Sequence, residues 1–328
     1  MTLRSRRGWR AAALLTWALL VGSQAIAQGA ADFPNRPVTI MVAYSAGGAT
    51  DVAARTIADG LTKLWGQPVV VENRPGAGGN IGAVKVARDK PDGYSLVMVA
   101  PAHAINVSLY PNAGYDAVKD FEPIGRVSYI QNIIAAHPSF GPNNVKELIA
   151  LAKSKPGTVA FSSGGVGTSE HLSAELFMYK TGTKMTHIPY KGTSAALPDL
   201  LSGQVLLTFG NLPALLPHIK KGSVKVLAVN SPTRSSVLPD VPTANTDVPG
   251  YDVTVWLGLL APAGTPPDIV AKINRDVGKV LEDPAVRTKL DSLGMQPAFT
   301  SPAEFRALIV SEVDKYAAVI KAASIKVE

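Results

Sequence analysis

Residues 38–44 read VTIMVAY, an apolar and largely β-branched run that predicts a buried strand. Residues 52–64 place Val52, Ala53, Ile57, Leu61 and Leu64 near helical spacing, which predicts an amphipathic helix. Between them stand Gly47 and Gly48, then Thr50 and Asp51 as helix starters. A strand at 68–72, a glycine-rich loop at 73–82 opening a short helix, a turn at Asp92-Gly93 and a strand at 94–100 follow. This β-α-β-α-β alternation predicts a mostly parallel sheet with helices on both faces. The loop at 101–106 leaves the third strand at its carboxyl end, and residues 121–127 and 132–136 read as two more strands.

From residue 144 the alternation begins again. Helices are predicted at 145–154, 169–180, 195–201 and 213–220, and strands at 158–161, 184–189, 205–209 and 224–230. A Ser/Pro/Thr/Asp-rich connection at 231–251 leads to a buried strand at 253–261, and the tail is helical at 267–281, 284–293 and 302–323. A second complete series followed by three more helices implies that the chain returns to its first domain. The expected fold class is α/β, with two doubly wound domains joined by a two-segment hinge. Residues 28–127 and 253–328 make one domain and 128–252 the other, with crossings near 126–130 and 251–255. The loops at 45–50, 101–106, 163–168 and 190–193 all leave strand carboxyl ends and would meet in the cleft between the domains.

Composition changes the picture mainly at the N-terminus. Arg4, Arg6, Arg7 and Arg10 precede an apolar run at 11–21 and a small-x-small site at Ala25-Ile26-Ala27, the form of a cleaved secretory signal peptide spanning 1–27. Without its four arginines, the remaining 28 basic and 25 acidic residues leave a charge of about +3, with no Lys/Arg cluster of the nucleic-acid type. The chain has no cysteine, which excludes disulfides and lipoprotein anchoring.

Neither Gly76-Ala77-Gly78-Gly79 nor Gly165-Val166-Gly167 completes a dinucleotide or P-loop fingerprint. Ser163 and Ser169 lie near His171, but there is no nucleophile elbow, so a serine hydrolase is the weaker alternative. The five histidines have no metal-ligand spacing, and neither a metal nor a cofactor is expected. What remains are two glycine- and hydroxyl-rich loops, 45–51 and 162–169, each feeding a helix. Each is either a plain capped turn or half of an anion site, and their matching positions favour a clamp on a small dianion.

Longer stretches also resemble a family. They are PVTI at 37–40 with GGATD at 47–51, QPVVVENRPGAGGN at 67–80, PDGY at 91–94, PYKG at 189–192, LPDVPT at 238–243 and LLAPAGTP at 259–266. The chain resembles the periplasmic receptors of tripartite tricarboxylate transporters, the Bug receptors. The resemblance implies a periplasmic binding protein of type 2, or Venus flytrap, architecture: a non-enzymatic monomer that closes on a small carboxylate and delivers it to membrane partners. A ligand-dependent sensor partner shares this fold.

It further implies that Tyr44, Ser45, Gly48 and Thr50, with Ala46 and Ala49, hold one carboxylate, and that Asp51 orders their loop. Ser162, Ser163, Gly164, Gly167 and Thr168 would hold the other end, with His103, Lys191, Gly210 and Asn211 as further cleft residues. The chain departs from the family at Ala43-Tyr44-Ser45-Ala46, at Leu257 after Trp256, and at Phe209-Gly210-Asn211, where relatives often carry Phe-Asp-Ser. Losing that aspartate removes a partner for a ligand ammonium, so a non-amino carboxylate is expected.

Overall fold

The structure is a computed structural model that describes residues 32–323 except 232 and 252, so the signal-peptide reading lies outside the described residues. Strand β1 (Val38–Val42) leads into α1 (Ala49–Trp65), β2 (Val69–Asn73), α2 (Asn80–Ala87), β3 (Ser95–Val99) and α3 (Ala102–Leu109). A long strand β4 (Phe121–Ala136) carries the chain onward to α4 (Val145–Ser154), β5 (Ala160–Ser163), α5 (Ser169–Thr181), β6 (Thr186–Pro189), α6 (Thr193–Leu201), β7 (Leu207–Asn211), α7 (Leu212–Lys220) and β8 (Lys225–Val229). The chain ends with β9 (Thr254–Pro262), α8 (Pro267–Glu282), α9 (Pro284–Ser292), β10 (Met295–Pro297) and α10 (Pro302–Ala323).

The strands form two α/β lobes that share β4. In the first, β1 pairs in parallel with β2 and β3, and β9 runs antiparallel to both β3 and β4. In the second, β5 pairs in parallel with β6 and β7, while β7 and β8 pair antiparallel with the far end of β4. Residues 121–131 of β4 pair with β9 and residues 132–136 with β7 and β8. The sequence suggested two strands here because Ser128, Gln131 and Asn132 interrupt the apolar pattern. Pairing to β9 across 254–257 keeps the backbone extended through the interruption.

Each lobe has its own core. Met41, Val97, Phe121, Trp256, Leu260 and Phe305 pack together in the first. Phe161, Phe177, Phe209 and Tyr251 cluster on one face of the second sheet, with Leu212, Leu215 and Val229 on the other. The returning helices complete the first lobe: Trp65 of α1 donates to Asp276 of α8 at 2.9 Å, and Trp256 of β9 donates to Glu312 of α10 at 3.1 Å. A smaller apolar cluster joins the lobes, with Leu172 of α5 against Ile105 and Leu109 of α3 and Tyr316 and Ile320 of α10.

Candidate functional site

Four helix N-termini meet at one cavity between the lobes. Its wall includes Gly48, Ala49 and Thr50 at the start of α1, Thr168, Ser169 and Glu170 at α5, Gly192 and Thr193 at α6, and Asn211 before α7. Tyr44 and Ser45 close one side, and Ala100, Ile130 and Val255 supply an apolar floor. The first turns of α1, α6 and α7 receive no side-chain cap. These helix starts therefore put the positive ends of their dipoles beside the cleft, although Pro213 leaves α7 with one N–H fewer. Thr168 caps α5, accepting from the His171 N–H and donating to the Gly165 carbonyl at 2.7 Å. The cavity measures about 20 Å³, room for about one water molecule.

The α1 entry is held by Asp51. Its carboxylate accepts from the Gly47 N–H at 2.8 Å, Arg55 at 3.0 Å and Asn73 at 2.9 Å. Burial alone would raise its pKa, but these donors outweigh burial and keep the carboxyl below its ordinary value. Asn73 also donates to the Tyr44 carbonyl, so the whole turn is braced from behind while its front stays open. Burial, and secondarily the charge of Glu170, push the Tyr44 hydroxyl far above its ordinary range, so it stays a neutral phenol.

Of the residues expected at the site, Tyr44, Ser45, Gly48, Ala49, Thr50, Thr168 and Asn211 line this cavity. Ala46 is exposed on the rim, and Asp51 faces Arg55 and Asn73 instead. Gly164 and Lys191 border a second chamber of about 240 Å³, which Tyr44 separates from the first. His103 is buried beyond Tyr44, stacked on Tyr115 and bonded to the Ala117 carbonyl at 2.9 Å; burial lowers its pKa to about 4. Ser162 is fully buried away from the cavity. Gly210 has Leu215, Thr193 and Thr208 where a side chain would begin.

Ser163 and Gly167 serve other contacts. The Ser163 hydroxyl lies 2.6 Å from His187 Nε2 and accepts from the Gly165 N–H, outside the cavity wall. His187 stacks on His171 and Phe161, and among the described residues no carboxylate is bonded to it as in a catalytic triad. Gly167 has positive φ, and a Cβ there would stand 2.1 Å from Asn106 of the first lobe. It marks a place where the lobes touch. So do the Ser45 N–H to Lys191 carbonyl bond and the Tyr110 hydroxyl to Val166 carbonyl bond, each 3.0 Å.

Sequence reasoning brought Ser169, Gly192 and Thr193 to the cleft only as members of their loops, without naming them as site residues, and missed Glu170 altogether. An acidic residue in a first helical turn reads as a dipole partner, and nothing local distinguishes Glu170 from that role. Here it is 6 % exposed and accepts from Ser169 at 3.2 Å and Thr193 at 3.0 Å.

A two-lobed α/β body with a polar cleft at its strand ends is the construction of a solute-binding protein. The chain belongs to the tripartite tricarboxylate transporter receptor family (TctC), whose model matches residues 53–325. It is 36 % identical to the protein BugT of Bordetella pertussis over 299 residues, covering 90 % of this chain and 92 % of BugT. Its fold is similar to that of the periplasmic binding protein BugD, with TM-score 0.87 at 36 % identity, covering 90 % of this chain and 99 % of BugD. The same TM-score, identity and coverages relate it to Rpa4515 of R. palustris, solved with adipate. The family is one of solute receptors.

Proposed function

We propose that this chain is a periplasmic receptor that captures a small carboxylate between its lobes and delivers it to the membrane components of a tripartite tricarboxylate transporter. One observation carries the reading: four helix N-termini, three of them without side-chain caps, converge on a single interlobe cavity. Oriented backbone N–H groups there would supply the positive potential that basic side chains supply elsewhere. The adipate bound by Rpa4515 supports the ligand class. The secretory form of residues 1–27 supports the compartment.

In this reading, Tyr44, Ser45, Gly48, Ala49 and Thr50 hold one carboxylate from the first lobe. Thr168, Thr193 and Asn211 face it from the second, and Asp51 positions the first loop. The domains are 28–127 with 253–328, and 128–252, hinged where β4 and residues 251–255 cross between them. A ligand touching both lobes binds the closed state better than the open one, and that difference drives closure.

The test is isothermal titration calorimetry of the mature chain against mono-, di-, amino- and aromatic carboxylates. Saturable binding of at least one, lost in Thr50→Phe, is expected. Failure of every carboxylate to bind would overturn the reading.

A further inference from the structure

Among the described residues, Glu170 is the one charged side chain in the cavity wall. The ordinary explanation of an acid in a first helical turn is compensation of the dipole or a capping box. Glu147 and Glu304 behave that way in this chain: they are exposed and reach back to the N–H groups of Asn143 and Ser301. Asp51, in the first turn of α1, pairs with Arg55. Glu170 lies in the first turn of α5 but neither reaches back to a backbone N–H nor pairs with a cation among the described residues. It is 6 % exposed, its hydrogen-bond donors are the hydroxyls of Ser169 and Thr193, and it takes part in none of the ion pairs found among the described residues. Gly164 packs against it, where a Cβ would come within 3.0 Å of its Oε1.

A plain dicarboxylate closed into this cleft would place three carboxyl groups in one enclosed space, with no lysine, arginine or histidine among the described residues of its wall. The helix N-termini offset part of this charge, but they carry no full cation to balance a third carboxylate, and burying like charges together is unfavourable. A ligand that carries its own cation removes the conflict: its carboxylate lies on the α1 N-terminus and its nitrogen on Glu170.

We infer that Glu170 sets specificity at this site, and that the ligand is a small carboxylate bearing an ammonium group that pairs with it. The inference rests on the receptor reading above and names the ligand class within it. It also replaces the acidic group that Phe209-Gly210-Asn211 lacks: the charge facing the ligand comes from the start of α5, across Thr193 from Asn211.

The experiment compares matched pairs, aspartate with succinate and glutamate with glutarate. Any other carboxylate that binds is compared with its amino derivative. In the wild-type chain the ammonium-bearing member of each pair binds tighter by about tenfold or more. Glu170→Gln keeps the shape and the capacity to meet Ser169 and Thr193 but loses the charge, so it abolishes or reverses that order. Tighter binding of the unsubstituted acid by the wild-type chain overturns the inference and leaves the receptor reading intact. An unchanged preference in Glu170→Gln also overturns it. Failure of every carboxylate to bind the wild-type chain overturns the receptor reading first. Should Glu170→Gln not fold, the wild-type pairs still decide.

Discussion

Single residues around the cleft divide into those that face it and those that brace it, and titration separates them. His103 is 4 % exposed, and burial lowers its pKa to about 4, while burial and then the charge of His171 lower His187 to about 3. In the unfolded chain each titrates near about 6.5. Above that pH both states are neutral and nothing is lost. As pH falls through about 6.5, the unfolded state takes up protons that the folded state refuses, so stability declines until the folded values are reached. His103 alone accounts for roughly 3 kcal/mol across the window from 6.5 to 4. Urea melts at steps between pH 7 and pH 4 should show this decline, and His103→Gln should flatten it. Parallel curves for the two proteins would place the acid sensitivity elsewhere. At this scale, the sequence identified hydroxyls and glycines by type but not the direction each faces. Ser163 and Thr168 lie in one loop, yet only Thr168 meets the cavity, because His187, twenty-four positions later, claims the Ser163 hydroxyl.

Elements were more legible than side chains, because hydrophobic period survives tertiary context better than side-chain orientation does. Helix α8 at Pro267–Glu282 and helix α10 at Pro302–Ala323 fall within a residue of the expected bounds, both opened by proline in the first turn. Helix α3 stands where the sequence predicts a loop at 101–106. Its eight residues are too few for a clear period, and Ile105 and Leu109 are secured by Leu172 and Tyr316 from elements far along the chain. Strand β10 has three residues and exists through its pairing with Ser128–Ile130 of β4. The start of α5 joins element stability to the site, since Thr168 both caps the helix and lines the cavity. Thr168→Ala should lower stability by about 1 kcal/mol in thermal melts of the unliganded chain, as the loss of an N-cap hydroxyl does. Thr168→Ser should restore most of it. A melt for Thr168→Ala that matches the wild type would show that this hydroxyl does not hold the helix start.

For the whole molecule the decisive quantity is the spacing of the lobes. A cavity of about 20 Å³ is too small for a four-carbon acid, so the proposed receptor role requires the lobes to part for ligand to enter. What holds them together here is protein: the Ser45–Lys191 and Tyr110–Val166 hydrogen bonds and the apolar cluster around Leu172. If the proposed hinge opens this cluster, closure that buries Leu172, Tyr316 and Ile320 is favourable before any ligand arrives. A ligand must then offer contacts to both lobes that outweigh the protein contacts it displaces. Gly192 is the point at which this balance can be tested. Its φ is +126°, a region that L side chains rarely adopt, and a Cβ would lie 2.4 Å from the Ser45 hydroxyl of the opposite lobe. Gly192→Ala therefore strains the α6 turn and pushes on Ser45 where the lobes touch. Small-angle scattering of the unliganded variant should give a larger radius of gyration than the wild type. Superimposable scattering curves would show that lobe spacing is set by the Leu172 cluster alone, in which case Leu172→Ser should open the molecule where Gly192→Ala did not.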